Sequence, residues 1–162
     1  MVAVRVSVRH RESSEGNLDT WAAALAAPED AVRAVGEVVE AHVAERIASR
    51  TSPWGDAWAP QSPATIEINR RRGRRDDSLS RTRFVQVLDG GKRVVVGFTA
   101  RFARAFHGGA PNNKAFGRGS APIPARPVLP LRGRTHDLPP TLREEVKAAF
   151  VAGMRRALRG AR

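Results

Sequence analysis

The stretch from residue 29 to residue 50 constrains the fold more than any other, because its apolar side chains repeat at helical spacing. Five aliphatic residues recur at steps of three and four, which places them on one face of an α-helix. These residues are Val32, Val35, Val39, Val43 and Ile47. Glu29 and Asp30 lie in the first turn, with Arg46 and Arg50 near the end, as the helix dipole favours. Such a helix must bury its apolar face against a sheet or another helix.

A second amphipathic helix is predicted over residues 141–159. Its apolar side chains follow one another at steps of four residues. They are Leu138, Leu142, Val146, Phe150, Met154 and Leu158. Asp137 or Thr141 caps this helix, and Thr141 with Glu144 has the spacing of a capping box. We expect the helix to pack on a sheet.

Two stretches have strand patterns. Valines alternate with other residues from Val2 to Val8, which is the period of a strand. Residues 84–98 form a predicted hairpin, in which Asp89-Gly90-Gly91 supplies the positive φ of a tight turn. The expected fold class is α+β. A small antiparallel sheet (the N-terminal strand plus the 84–98 hairpin) is packed by a long helix (29–50) and a C-terminal helix (141–159), with long extended loops.

Three shorter segments are less regular. Residues 18–27 have the pattern of a short helix, and Pro63 is expected in the first turn of another. Residues 99–106 fit either a short helical turn or the end of a strand.

Composition bounds the class of protein. A length of 162 residues favours one domain over residues 1–162. The absence of cysteine excludes disulfides and thiolate metal sites. Without a signal core or a long apolar run, we expect a soluble protein made in the host cytoplasm, with no membrane partner.

Charge is unevenly distributed along the chain. The net charge is +12, of which residues 1–50 contribute 6 basic and 8 acidic side chains, or −2. Residues 51–162 hold the other 22 basic and 8 acidic side chains, or +14. The second part of the chain is therefore expected to face an anionic partner, either nucleic acid or acidic protein surfaces.

The densest charge is a run of five arginines interrupted only by Gly73. The run comprises Arg70, Arg71, Arg72, Arg74 and Arg75. It has two interpretations: a solvated loop, or a contact with phosphates or with an acidic neighbouring subunit. Before it, a Pro- and Gly-rich loop carries Trp54 and Trp58. We interpret both as anchors that hold this loop on the body, and base stacking is the alternative.

The stretch from His107 to Leu131 is too rich in Gly and Pro for regular structure and too long for an ordinary turn. Apolar residues return at its end, so we expect it to dock back on the body. His107 is the best single candidate for acid–base chemistry, yet no carboxylate lies near it in sequence. His42 is interpreted as a helix-face residue. No nucleotide-binding, metalloprotease or hydrolase motif is present. We expect no catalytic residue, metal or cofactor, and hence no enzyme.

Three ordered motifs resemble those of a known family. Trp54-Gly-Asp-Ala-Trp-Ala-Pro-Gln-Ser-Pro-Ala-Thr65 follows the long helix, Phe102-Ala-Arg-Ala-Phe-His-Gly-Gly109 follows the hairpin, and Ile123-Pro-Ala-Arg-Pro-Val-Leu129 precedes the last helix. The set, in this order over residues 30–160, resembles the phage virion-morphogenesis family of Mu-like phages, which is related to the tail-completion proteins of P2-like phages. The chain departs from the family pattern at Gln61 and Val128, and at 74–79, where a Thr-Gly segment is usual.

The resemblance implies a structural protein of the head–tail junction, located in the virion. It implies a tail terminator subunit that forms a ring, expected to be a hexamer, which caps the tail tube and joins it to the head connector. DNA would pass non-specifically through the lumen, beside the arginine run. The alternatives are a head-side neck or stopper protein, or a basic nucleic-acid-binding module.

Under this interpretation the stretch from His107 onward is an inter-subunit arm. The expected interface residues are His107, Gly108, Gly109, Pro124, Arg126 and Pro127. Arg126, stiffened by two prolines, is either a fixed ion-pair or carbonyl clamp, or an exposed arginine in a polyproline-type segment. We expect Arg126→Ala to leave the fold intact and to weaken assembly.

Overall fold

A computed structural model of the chain describes residues 2–7, 29–71, 73, 79–110, 122–130 and 137–160. The strands are β1 (Val2–Ser7), β2 (Arg83–Leu88) and β3 (Arg93–Phe98), and the helices are α1 (Glu29–Ser49), α2 (Pro63–Arg71), α3 (Ala103–Gly108) and α4 (Pro140–Gly160). A short 3-10 helix, Ser80–Thr82, precedes β2. The predicted helix over 18–27 lies outside the described residues, as do Arg72, Arg74 and Arg75.

The sheet has three antiparallel strands in the order β1-β3-β2. Val4 of β1 and Val85 of β2 both pair with Val96 of the central strand. The turn between β2 and β3 places Asp89 at φ 55° and Gly90 at φ 61°, the left-handed conformation that the Asp-Gly pattern predicts. The predicted sheet of an N-terminal strand and a hairpin is therefore confirmed.

One face of this sheet packs against α1. A Cβ atom at Gly36 would lie 2.5 Å from Cγ2 of Val94 and 2.8 Å from Cγ1 of Val85, so glycine lets the helix approach the strands closely. Helix α4 covers α1 in the opposite direction, with Gly153 against the backbone of Ala31. The predicted α+β fold, with both long helices, is confirmed.

The core has two parts. One joins α1, β3 and α4 through Val32, Val35, Val39, Val94, Val96 and Leu142. The other holds the irregular segments on the same helix and sheet through Val43, Leu79, Phe98, Ala103, Val128 and Leu129. Val128 and Leu129 have no exposed surface. The end of the long loop therefore docks on the body, as its apolar residues predict.

Two short segments are more helical than their sequence patterns indicate. Residues 103–108 form α3, which decides between the two alternatives for residues 99–106. Helix α2 continues to Arg71, so the first two arginines of the run lie on a helix and not in a loop. Within the described part of the chain, no helix is both long enough and apolar enough to cross a membrane.

Candidate functional site

The loop after α1 is folded around one buried hydroxyl. The Oγ atom of Ser52 accepts the backbone N–H groups of Trp54 at 3.2 Å and Asp56 at 3.1 Å. It also lies 3.1 Å from Oδ2 of Asp56, to which it donates. Gly55 adopts φ 95° at the tip, a conformation that other residues rarely take. These bonds give the loop a fixed shape before any partner binds.

Trp58 links this loop to the end of the long loop. Its indole Nε1–H donates to the carbonyl oxygen of Pro127 at 3.0 Å. Its ring meets Phe106 of α3 edge to face, with centroids 5.3 Å apart. Trp54 is half-buried, and its backbone is held by Ser52. The geometry of Trp58 is that of an anchor.

Arg126 holds the same two loops together from the other side. Its side chain is buried, with 8% of the residue exposed. Nε donates to the carbonyl of Ala59 at 3.1 Å, and a terminal nitrogen donates to that of Pro60 at 3.2 Å. The guanidinium also lies 5.6 Å from the centre of the Phe106 ring. Of the two interpretations of Arg126, this geometry matches the carbonyl clamp.

His107 accepts hydrogen bonds from the segment it faces. Its Nδ1 lies 3.2 Å from the backbone nitrogen of Val128 and 3.5 Å from that of Leu129. Burial lowers the pKa of His107, which keeps Nδ1 unprotonated and able to accept. The imidazole therefore stabilises the docked end of the long loop. The sequence does not predict this role, because the partners of His107 lie 21 and 22 residues away.

The long loop leaves and rejoins the body at one narrow point. Ala110 and Ile123 form an antiparallel pair with both backbone hydrogen bonds at 2.9 Å. Gly109 has φ 74°, and a Cβ there would lie 2.9 Å from the backbone of Ile123 and Ala125. We call this pair the loop neck. Residues 111–121, between the two paired residues, lie outside the described residues.

The predicted interface residues occupy different environments around the neck. Gly108 and Pro124 are exposed, whereas Gly109 and Pro127 are half-buried. His107 and Arg126 direct the polar atoms described above into their own chain. The proposed contacts of this set with another subunit stay predictions.

The described arginines of the basic run share one carboxylate. Arg70 and Arg71 lie 3.1 Å and 2.8 Å from Glu67, one helical turn earlier on α2. Both side chains are more than three-quarters exposed. Two guanidinium groups share one carboxylate, so this surface keeps a net positive charge for an anionic partner. That partner's identity stays a prediction.

His42 is more buried than its helix-face interpretation implies, with 8% of the residue exposed. Burial, then the charge of Arg46, lowers its pKa. Its Nε2 has no hydrogen-bond partner among the described residues. In this same part of the chain, no three His, Asp or Glu side chains are grouped so as to hold a metal ion.

The loop after α1 and the end of the long loop meet at Trp58 and Arg126, and we call this meeting point the junction. An open cleft of about 570 Å³ lies beside it. The last two turns of α1 form one wall through Ala44, Ile47 and Ala48, and residues 58–61 form the other. Phe106 contributes an aromatic side chain and Arg50, Arg83 and Arg126 contribute guanidinium groups. The sequence does not predict this cleft, because its walls come from five separate segments.

Comparison with known proteins agrees with the motifs. The model of the phage virion morphogenesis family matches residues 12–149. No curated protein and no solved structure matches the chain. The matched range includes α1, the hairpin and both loops of the junction, which is most of the sequence. The chain therefore belongs to the phage virion morphogenesis family.

Proposed function

We propose that this chain is a tail terminator, or tail completion, subunit. In this role, copies of the chain form a ring that caps the tail tube and joins it to the head connector. The observation that carries the proposal is the family match over residues 12–149. Arg126 and His107 bind backbone groups of their own chain, which supports a structural role for both side chains.

The junction described above suits a subunit that contacts neighbours through loops. A ring closes through heterologous contacts, in which one surface of a subunit meets a different surface of the next. Such contacts need loops whose ends are fixed, because ordering them at assembly costs entropy. The Ser52 turn, the Trp58 and Arg126 bridges and the loop neck fix those ends in the single chain.

Charge supports the partners in this proposal. Residues 51–162 carry a net +14, and Arg70 and Arg71 lie exposed on α2. A basic lumen suits DNA that passes without sequence recognition, and basic outer faces suit acidic tail-tube or connector subunits. We propose a hexamer in the virion, at the head–tail junction.

Electron microscopy of particles lacking this protein tests the role. We expect DNA-filled heads beside unjoined tails of irregular or excessive length, and restoration of joined particles by the gene in trans. Tails of uniform normal length that fail to join would instead indicate the head-side neck or stopper protein. Normal joined particles would refute both roles.

Purified protein separates the ring subunit from a nucleic-acid-binding module. Mass photometry and sedimentation, alone and with isolated tails, measure whether rings form and where they bind. Duplex titration at several salt concentrations measures DNA affinity, which for a ring subunit should be weak and independent of sequence. Tight, sequence-dependent binding by a monomer would refute the terminator proposal.

A further inference from the structure

The cleft beside the junction combines two kinds of surface in one place. Part of its lining is apolar and consists of Ile47 and Ala48 of α1 together with Trp58 and Phe106. The two rings are fixed in position, because they contact each other and the indole N–H is bonded to Pro127. A preformed apolar surface of this kind binds a bulky side chain at little entropic cost. The volume lies within the range of about 300–1,000 Å³ found for ligand-sized pockets.

The charged side chains that line the cleft are arginines. Three arginines line it, and no carboxylate does so among the described residues. Arg83 pairs with Glu40 at 2.5 Å, and Arg126 donates to carbonyl groups within the cleft wall. Arg50 is exposed at the end of α1 and adopts φ 55°. Glu40 offsets the charge of Arg83, so the net positive charge of the lining comes from Arg50 and Arg126, and it favours a negative group next to an apolar one.

We propose that this cleft binds an extended segment of another protein, in which a carboxylate side chain lies beside a bulky apolar side chain. The apolar side chain enters between α1 and the Trp58–Phe106 pair, and the carboxylate meets Arg50. The cleft favours protein over single-stranded nucleic acid for two reasons. Its wall is aliphatic on one side, and Trp58 uses its N–H and ring contacts within the chain instead of presenting a stacking platform.

The proposal is independent of the ring. It names a binding site on the single chain, and it holds whether the partner is a tail-tube subunit, a connector subunit or another virion protein. A failure to form rings would therefore leave it intact, and absence of peptide binding would leave the terminator role intact.

Four fluorescein-labelled octapeptides test the two requirements separately. One carries Asp-Leu-Phe-Asp at its centre, and the others replace both Asp by Asn, both apolar residues by Ser, or both Asp by Lys. Fluorescence anisotropy with the intact chain should show saturable binding of the first peptide alone. Its affinity should fall as salt rises, because the carboxylate contact is at the surface. Equal binding of the Asn peptide, or binding of none of the four, would refute the proposal.

Substitutions at Ala48 locate the binding in the cleft. This residue is exposed on α1, so Glu, Gln and Lys can replace it without entering the core. We expect Ala48→Glu to weaken binding about fivefold relative to its size-matched control Ala48→Gln, and Ala48→Lys to bind at least as well as that control. Arg50→Asn, which tolerates the left-handed conformation, should weaken binding about fivefold. Equal losses in all three Ala48 variants would refute an electrostatic contact.

An eight-nucleotide oligothymidine provides the alternative ligand. We expect Ala48→Glu to weaken oligonucleotide binding only as much as the change in the chain's net charge explains. At the same salt concentration, the oligonucleotide should not compete with the peptide. If the two ligands compete, and Ala48→Glu weakens oligonucleotide binding more than peptide binding, the cleft is a nucleic-acid site. Unchanged thermal unfolding of each variant would show that the fold is retained.

Discussion

Removing the Arg126 side chain should destabilise the single chain. Arg126→Ala deletes the donors to Ala59 and Pro60 and the guanidinium against Phe106. Hydrogen bonds from a charged donor contribute about 1.5–3 kcal/mol each, and a cation–π contact about 0.5–1 kcal/mol. Two effects reduce that sum. Ala59 and Pro60 are exposed, so their carbonyls regain water, and the variant no longer buries a charge.

We therefore expect a loss of about 2 kcal/mol in the free energy of unfolding. For a chain of this size that corresponds to a fall of about 4–8 °C in the melting temperature. Arg126→Lys should lose about half as much, because an ammonium group cannot donate in two fixed directions. This expected loss of stability differs from the expectation, formed from sequence alone, that Arg126→Ala leaves the fold intact. The buried position of the side chain is the reason.

Urea unfolding followed by tryptophan fluorescence measures the loss, since Trp58 lies at the same junction. Arg101→Ala is the matched control: it removes an exposed arginine in the turn before α3 and should change stability by less than about 0.5 kcal/mol. A stability of Arg126→Ala equal to that of the control would refute the clamp. Normal stability with failed assembly would restore the subunit-interface interpretation.

Three further predictions concern other contacts. Gly153→Ala should lower the free energy of unfolding by about 1–2 kcal/mol, as measured by thermal unfolding, because the added methyl group overlaps Ala31. Helix propensity alone predicts the opposite, a stabilisation, and that result would show that the two helices separate easily. Burial lowers the folded-state pKa of His107, so the unfolded chain binds more protons below its ordinary pKa of about 6.5 and stability falls as pH drops through that value. His107→Asn keeps an acceptor oxygen and should show a shallower loss between about pH 7 and 5, and His42 contributes to the loss that remains; an unchanged pH profile would contradict this. Trp58→Phe should cost about 1–2 kcal/mol in urea unfolding through its lost hydrogen bond, and a loss no larger than that of an exposed substitution would contradict the anchor role.

The elements with a repeating pattern were predictable from sequence. The stripe from Val32 to Ile47 and the Asp-Gly-Gly turn each encode a local structure, because neighbouring residues decide it. Helix α2 was only partly predicted. A run of arginines repels itself, but Glu67 shares its charge with Arg70 and Arg71 and supports another turn.

The sequence indicates which residues belong to the candidate site, but not how they are arranged. The motifs single out Trp58, His107 and Arg126, but not what each contacts. Arg126 donates to carbonyls 66 and 67 positions earlier, and His107 accepts from residues 21 and 22 positions later. Every residue has a backbone carbonyl, and nearly every residue has an N–H group, so residue type does not indicate which of them a side chain binds. These hydrogen-bond partners can be identified only from the folded structure. The cleft was not predictable from sequence either, because its walls come from segments that are far apart in the chain.

The loop neck has a consequence for how this chain can change over evolution. A hydrogen-bonded antiparallel pair holds its two Cα atoms about 5.5 Å apart, so Ala110 and Ile123 present the ends of any segment between them at a fixed separation. Longer connections add only slowly to the entropy of closure. The segment between them can therefore differ in length or sequence without changing the separation of Ala110 and Ile123, and the core that contains Val128 and Leu129 is retained. Under the proposed tail-terminator role, the surface that meets a tail or connector can then change without a new fold.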